Sequence, residues 1–480
     1  MLKNCMFSAK ISAVILKRGN AMSKVYDIIP SQATMYLMQK YSLHKQITQI
    51  PASFMVDKEL DFNLLTRALN IEIQRNDSLR VRFIKEDKKI KQTFLDSYKI
   101  GSVKVLTFKT EEEQNSYFAK DAQTPVRFLK GECYRIYFFN AYNGYKGIYL
   151  NVSHLCMDAM GMLVFFSDLL AVYKALASGS KKMPPALFKY EDYVEKELAR
   201  LEDTERLKKD EEFYRNYFLK GGEPFYAGIH GPAFLEKARA KQKNPDLRVP
   251  AAYNPLYDKA EVIVKHVDTA ASAKIFNFCK EHNVAPESLL LMGLRTYASK
   301  VNYRVPDIFM QLMCSKRITY KDMRTGGCMA QPLQIRTIIS EDKTFSEALD
   351  EFLTVRAQLY RHLTYPYITA RDLSRELYNY SMIQGPACMM FSWLPVPVED
   401  FGGIKVDFRT YNLGRYFTPL YTICYPEPKS GGLVVNYMYR VKLISPENIE
   451  DLHRNMVNVI LKGIENPDIT IGELLDCVDR

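Results

Sequence analysis

One stretch constrains this chain more than any other. Gly147–Val152 is a run of strand-forming residues that leads straight into His154. Asp158 follows four residues later, then Gly161, and an apolar helix extends from about Met160 to Ala177. A strand that hands over at once to a long apolar helix calls for a layered fold of sheet and helix. It also puts a histidine where such folds commonly present reactive groups, between a strand end and a helix start.

A histidine there is suited to general base chemistry, because its unperturbed pKa lies near neutrality. The N–H groups of Ala159, Met160 and Gly161 open the following helix and point toward the same region. They are candidates for holding a developing oxyanion. Among the seven histidines, His154 is the only one followed by Asp at a distance of four. Spacing alone leaves two readings open. One is a base presented to a cleft. The other is a histidine that satisfies backbone groups, with Asp158 as an ordinary helix cap.

The rest of the chain alternates in the same way. Ser31 and Asp61 are expected to cap helices, the second with Leu65, Ala68, Leu69 and Ile73 at helical spacing. Strands are expected at Leu79–Ile84, Val103–Phe108 and Tyr134–Phe139. Residues 190–220 read as a charged, solvated helix pair, and 221–257 as a crossover without clear period. A second mixed half follows. In it Asp268 and the Thr344/Glu347 capping box start helices, and Ser445-Pro446 opens the last one. Strands are expected at Glu261–Val267, Asp307–Met313, Met329–Ile338, Ala387–Leu394, Pro419–Cys424 and Leu433–Tyr439. The class is therefore α/β or α+β in two lobes. Expected boundaries are an extension over 1–21 with Met22 opening the protein proper, a first lobe over 22–188, a helical segment and crossover over 189–257, and a second lobe over 258–480.

Composition removes several alternatives. With 480 residues, 47% hydrophobic and 25% charged, the chain has the balance of a globular protein rather than a disordered one. Its longest apolar runs are too short for a membrane span. The nine cysteines are odd in number and include no Cys-x-x-Cys pair, which points to neither a disulfide framework nor a zinc site. A reducing cytoplasm, no metal and a monomeric state are expected. The net charge of +11 suits anionic small molecules or an acidic protein partner, and no nucleic-acid motif is visible.

The segment Ser153-His154-Leu155-Cys156-Met157-Asp158-Ala159 resembles the His-His-x-x-x-Asp-Gly motif of the condensation-domain superfamily. That superfamily includes nonribosomal peptide synthetase condensation domains, chloramphenicol acetyltransferase and plant acyl-CoA-dependent acyltransferases. Here Ser153 replaces the first His and Ala159 the Gly. Other stretches are similar in order and spacing: Tyr26 to Gln32, Arg75 to Phe83, Phe213 to Phe218, Cys314 to Arg317, Gly326 to Arg336, and the Tyr365-Pro366-Tyr367 segment.

The resemblance implies two chloramphenicol-acetyltransferase-like lobes in a V with His154 in a tunnel between them. It implies that Asp158 is structural and pairs with an Arg of the second lobe, best matched by Arg317. It also implies a stand-alone acyltransferase that passes an acyl or aminoacyl group from a thioester to an amine or hydroxyl. The thioester would ride on coenzyme A or on a phosphopantetheinyl carrier protein, with no permanently bound cofactor. An ester-forming O-acyltransferase and a non-catalytic docking protein are the competing readings. Cys156 is expected to be a small buried hydrophobe. Ser153 is a candidate, with Ala159, Met160 and Gly161, for the substrate or oxyanion region, against the reading that it serves packing or a backbone bond. The basic run Lys237, Arg239, Lys241 and Lys243 is either a solvated face or a site for an acidic carrier.

Overall fold

Strand Lys146–Ser153, whose end leads into His154, lies at the centre of a five-stranded sheet. It pairs antiparallel with Gln49–Asp57 on one side and with Tyr134–Asn140 on the other, in the registers Gln49↔Ser153 and Tyr134↔Val152. Asp407–Thr410 and Val105–Thr107 form the two edges. All but one of the strand's residues are buried, so its position fixes the site's position. The structure is a computed structural model and describes residues 24–252, 254–394, 400–401, 404–427 and 430–479. The expected extension over 1–21 and the start at Met22 lie outside these residues.

Helix Ala159–Ala177 packs beside helix Phe62–Arg75 and buries Phe165, Phe166, Leu169, Leu170 and Val172. It is long and apolar enough to cross a membrane, but this packing is that of a core helix. Asp61 caps Phe62–Arg75 by accepting from the Asn63 and Leu64 amides, as its position before the periodic run predicts. Ser31 does not cap. The first helix is Pro30–Tyr41, and the Gln32 side chain accepts from the Ile29 amide in the place of a hydroxyl cap. Leu79 and Arg80 belong to a short 3₁₀ turn, and the strand begins at Val81.

The described residues form two compact units. The first comprises 24–209, 315–331 and the described part of 398–413. The second comprises 210–314, 332–394 and 414–479. The division therefore falls inside helix Thr204–Leu219, and two later stretches return to the first unit. Residues 221–257 are not a structureless crossover, since they include helix Ala233–Gln242, which carries Lys237, Arg239 and Lys241 of the basic run, with Lys243 as its C-cap.

The second unit is built on a six-stranded mixed sheet in the order Ala330–Ile338, Asp307–Ser315, Met389–Trp393, Leu420–Pro426, Leu433–Arg440, Ala260–Val267. Helix Pro286–Val301 is buried nearly all round and packs closely on Pro446–Glu465. A Cβ on Gly293 would lie 2.8 Å from Met456, so glycine permits that approach. The expected capping box of Thr344 and Glu347 is formed, and Ser445 caps Pro446–Glu465.

Candidate active site

His154 is the first residue after the central strand, and its amide donates to the Thr48 carbonyl at 2.8 Å. The chain then turns sharply. The Ser153 carbonyl accepts from the Cys156 and Met157 amides, and the Ser153 hydroxyl accepts from the Leu155 amide. Ser153 is buried, with its carbonyl and hydroxyl in this turn and its amide donating to the Cys133 carbonyl at 2.7 Å. Gln32 donates to the Leu155 carbonyl at 3.1 Å and to Gln92, holding the turn from the side of the first helix.

Asp158 caps helix Ala159–Ala177, and it does more than cap. One carboxylate oxygen accepts from the Gly161 amide at 2.7 Å. The other accepts from Arg317 Nη1 at 2.7 Å and from the Met329 amide at 2.8 Å. Arg317 in turn donates to the Gly327 carbonyl at 3.0 Å, and the Asp158 amide donates to that same carbonyl. Both side chains are buried. Burial opposes the charge on Asp158, but Arg317 and the two amides outweigh it and hold the carboxyl below its usual pKa. The pair expected from the resemblance is thus formed. Arg317, however, belongs to the same compact unit as Asp158, because residues 315–331 cluster with the first unit and not the second.

The neighbouring Lys316 is pinned as well. It pairs with Glu197, which also holds Arg200, and Lys316 and Glu197 are buried. Residues 315–331 therefore form a strap tied to the first unit by consecutive cations. The fit is tight at glycine. A Cβ on Gly161 would lie 2.5 Å from the Gly327 carbonyl oxygen. Gly327 has φ +88, and a Cβ there would fall 2.2 Å from the Tyr190 ring. Tyr190 also donates to the Cys328 carbonyl, and its helix is capped by Asp77.

His154 itself is half-buried. Its Nδ1 lies 3.8 Å from the Cys328 thiol, and Nε2 has no hydrogen-bond partner among the described residues. Burial lowers its pKa, while the Asp158 charge and its own main chain partly oppose that shift. The ring is therefore neutral and basic at neutral pH. The carboxylate of Asp158 is committed elsewhere, so it acts on the imidazole only through space.

The Ala159 and Met160 N–H groups have no acceptor among the described residues and remain candidate oxyanion donors. Gly161 drops out of that set, because its N–H is already given to Asp158. Cys156 is fully buried, with its thiol on the Ser78 carbonyl at 3.0 Å. The adjacent Cys133 and burial push its pKa well up, which disfavours the nucleophilic thiolate. Burial does the same to Cys328. Among the described residues no cluster of three or more His, Cys, Asp or Glu is placed to hold a metal.

Sequence reasoning did not single out Gln32, Tyr190, Gly327 and Cys328 as parts of the site. Gln32, Gly327 and Cys328 stand in stretches that resemble the family, which was the available signal. Nothing marked Tyr190.

Comparison with known proteins adds the family. The family model for the condensation domain matches residues 22–379. Among curated relatives, surfactin synthase subunit 1 of Bacillus subtilis (strain 168) is 21% identical over 470 residues, covering 94% of this chain but 12% of that protein. Bacitracin synthase 3 of Bacillus licheniformis is 20% identical over 465 residues, covering 94% of this chain and 7% of that protein. The chain thus spans a small part of these relatives. Among solved structures, the first condensation domain of the calcium-dependent antibiotic synthetase, in complex with a substrate analogue, aligns with a TM-score of 0.75 at 17% identity over 94% of this chain and 98% of that one. The starter condensation domain of rhizomide synthetase in complex with C8-CoA aligns at 0.76 and 16% identity, covering 93% and 96%.

Proposed function

We propose, from the premise that this chain belongs to the condensation-domain family, that it transfers an acyl or aminoacyl group from a thioester to an amine or hydroxyl. The supporting observation is the division of labour at the site. Asp158 has its oxygens committed to Arg317, Gly161 and Met329, which leaves His154 as the group with a free ring nitrogen.

In the proposed step Nε2 of His154 takes the proton from the attacking N–H or O–H. The nucleophile's lone pair forms the new bond to the thioester carbonyl carbon, and the carbonyl oxygen gains negative charge. The Ala159 and Met160 amides are candidates to stabilise that charge. Collapse re-forms the carbonyl and breaks the C–S bond. The thiol leaves with the proton returned from His154. The products are an amide or ester and a free thiol, and atoms and charge balance.

The donor thioester is proposed to sit on coenzyme A or on a phosphopantetheinyl carrier. C8-CoA in a starter condensation domain of the same fold supports the first source, and the synthetase relatives support the second. The test is thiol release and product mass with a panel of acyl-CoA and acyl-carrier donors against amine and alcohol acceptors. Amide or ester formation with any pair is expected. Thioester binding without turnover across the panel would favour the non-catalytic docking reading instead.

A further inference from the structure

Two side-chain amides meet in the core of the first unit, beside the turn that follows His154. Gln32 sits in the first turn of helix Pro30–Tyr41 and Gln92 on strand Lys89–Phe94, and both are fully buried. They form a reciprocal pair, each Nε2 donating to the other's Oε1 at 2.8 Å. Three main-chain groups fix which way the amides face. The Ile29 N–H can only donate, and it donates to Gln32 Oε1 at 3.0 Å. The Asp27 and Leu155 carbonyls can only accept. Gln92 Nε2 donates to the first and Gln32 Nε2 to the second, each at 3.1 Å. Turning either amide over would set oxygen against oxygen, so the network has one arrangement.

Buried amides are costly unless their polar atoms find partners, and here all four are paired. An apolar side chain would fill the same space without that demand. What the amides add is a grip on one main-chain atom of the turn, the carbonyl of Leu155, directly after His154. The main chain around the histidine is then held from several sides. The His154 amide donates to the Thr48 carbonyl, the Leu155 amide donates to Ser153 Oγ, and the Leu155 carbonyl accepts from Gln32. The ion pair of Asp158 and Arg317 fixes the far end of the same turn.

We infer that Gln32 is a positioning residue for His154, acting through the Leu155 carbonyl, and that Gln92 keeps the Gln32 amide in the orientation this requires. The inference rests on the acyl-transfer reading above, in which His154 is the base. Gln32 makes no bond to the imidazole. It sets where the main chain that carries the ring stands, and a displaced base loses rate without losing substrate.

The test compares Gln32→Met, Gln92→Met and Asn70→Leu in the full chain, with His154→Ala as the reference for loss of the base. Asn70 is a side-chain amide of helix Phe62–Arg75 that binds the Ile100 amide and carbonyl and makes no bond to the turn. Melting temperature and near-UV circular dichroism establish which variants are folded. On folded protein the single-turnover rate at saturating thioester and the KM for that thioester are measured. Gln32→Met should lose roughly tenfold in rate with KM within about twofold of wild type. Gln92→Met leaves Gln32 its bond to Leu155 and should lose less, about threefold. Asn70→Leu should keep the wild-type rate whatever its melting temperature. A wild-type rate in folded Gln32→Met, or an equal loss in Asn70→Leu, would overturn the inference while the loss in His154→Ala leaves acyl transfer standing. If Gln32→Met does not fold, Gln92→Met decides, and a wild-type rate there overturns the inference. Wild-type turnover in His154→Ala, or no turnover by the wild type with any donor, would overturn the acyl-transfer reading and this inference with it.

Discussion

Two buried Asp–Arg pairs in this molecule use the same chemistry to different ends. In the second unit Asp307 is gripped by the fork of Arg336, with Nε and Nη2 each at 2.7 Å, and also by Arg248. Arg336 then spends Nη1 on the carbonyls of Phe218, Lys220 and Gly222. That pair fastens a loop. In the first unit Asp158 takes a single Arg317 nitrogen and gives its remaining capacity to the amides of Gly161 and Met329. These lie on the helix after His154 and on the strap beside it. That pair joins three segments around a histidine. A buried ion pair is therefore not in itself a sign of a site, and what it holds in place decides its role.

The two pairs differ most in what they hold, and only that of the first unit holds a histidine. His154→Ala should keep its melting temperature and lose roughly a hundred- to ten-thousandfold in turnover, the range of a general base. Wild-type turnover in that variant would end the mechanism. The two aspartates should look alike in stability. Asp158→Ala and Asp307→Ala should each cost about 3–5 kcal/mol in denaturant unfolding, because each leaves a buried guanidinium without its carboxylate. Loss from only one would show that the pairs are not equivalent structurally either. The stabilising effect of ionised Asp158 should be full above its unfolded pKa of about 4 and fade as pH falls toward its depressed folded value.

A smaller effect follows from the shift of His154. Its folded pKa lies below 6.5, so the neutral base is fully present at neutral pH and is lost only as pH falls through that lowered value. kcat/KM should be flat from pH 7 to 8 and fall about tenfold per unit on the acid side. An acid limb centred above 6.5 would contradict the environment described here.

The site was legible in sequence to the extent that local pattern carried it. His154 and Asp158 stood at a strand end and a helix start, and Arg317 was matched by resemblance. Asp61 and the Thr344/Glu347 box were readable because capping is local. What was not legible depends on distant partners. Strand Gln49–Asp57 contains Pro51 and polar residues that break an apolar pattern, yet it pairs with the central strand. Strand Asp407–Thr410 finds its partner far back in the chain, through Phe408↔Phe54. Helix Glu111–Ala122 is charged over most of its surface and buries only Gln114, Phe118 and Ala122. Gly327 owes its importance to the Tyr190 ring and the Gly161 backbone, which no local pattern announces. The assignment of residues 315–331 to the first unit likewise rests on contacts rather than order.

The most direct test sets the two aspartates side by side as Asp158→Asn and Asp307→Asn, under conditions where both variants are shown to be folded. The measurement is the single-turnover rate of acyl transfer with a saturating thioester donor. Asp158→Asn is expected to lose roughly tenfold or more, since a misplaced base loses its near-attack geometry, and Asp307→Asn is expected to keep the wild-type rate. Equal rates in the two variants would contradict the claim that the first pair positions His154.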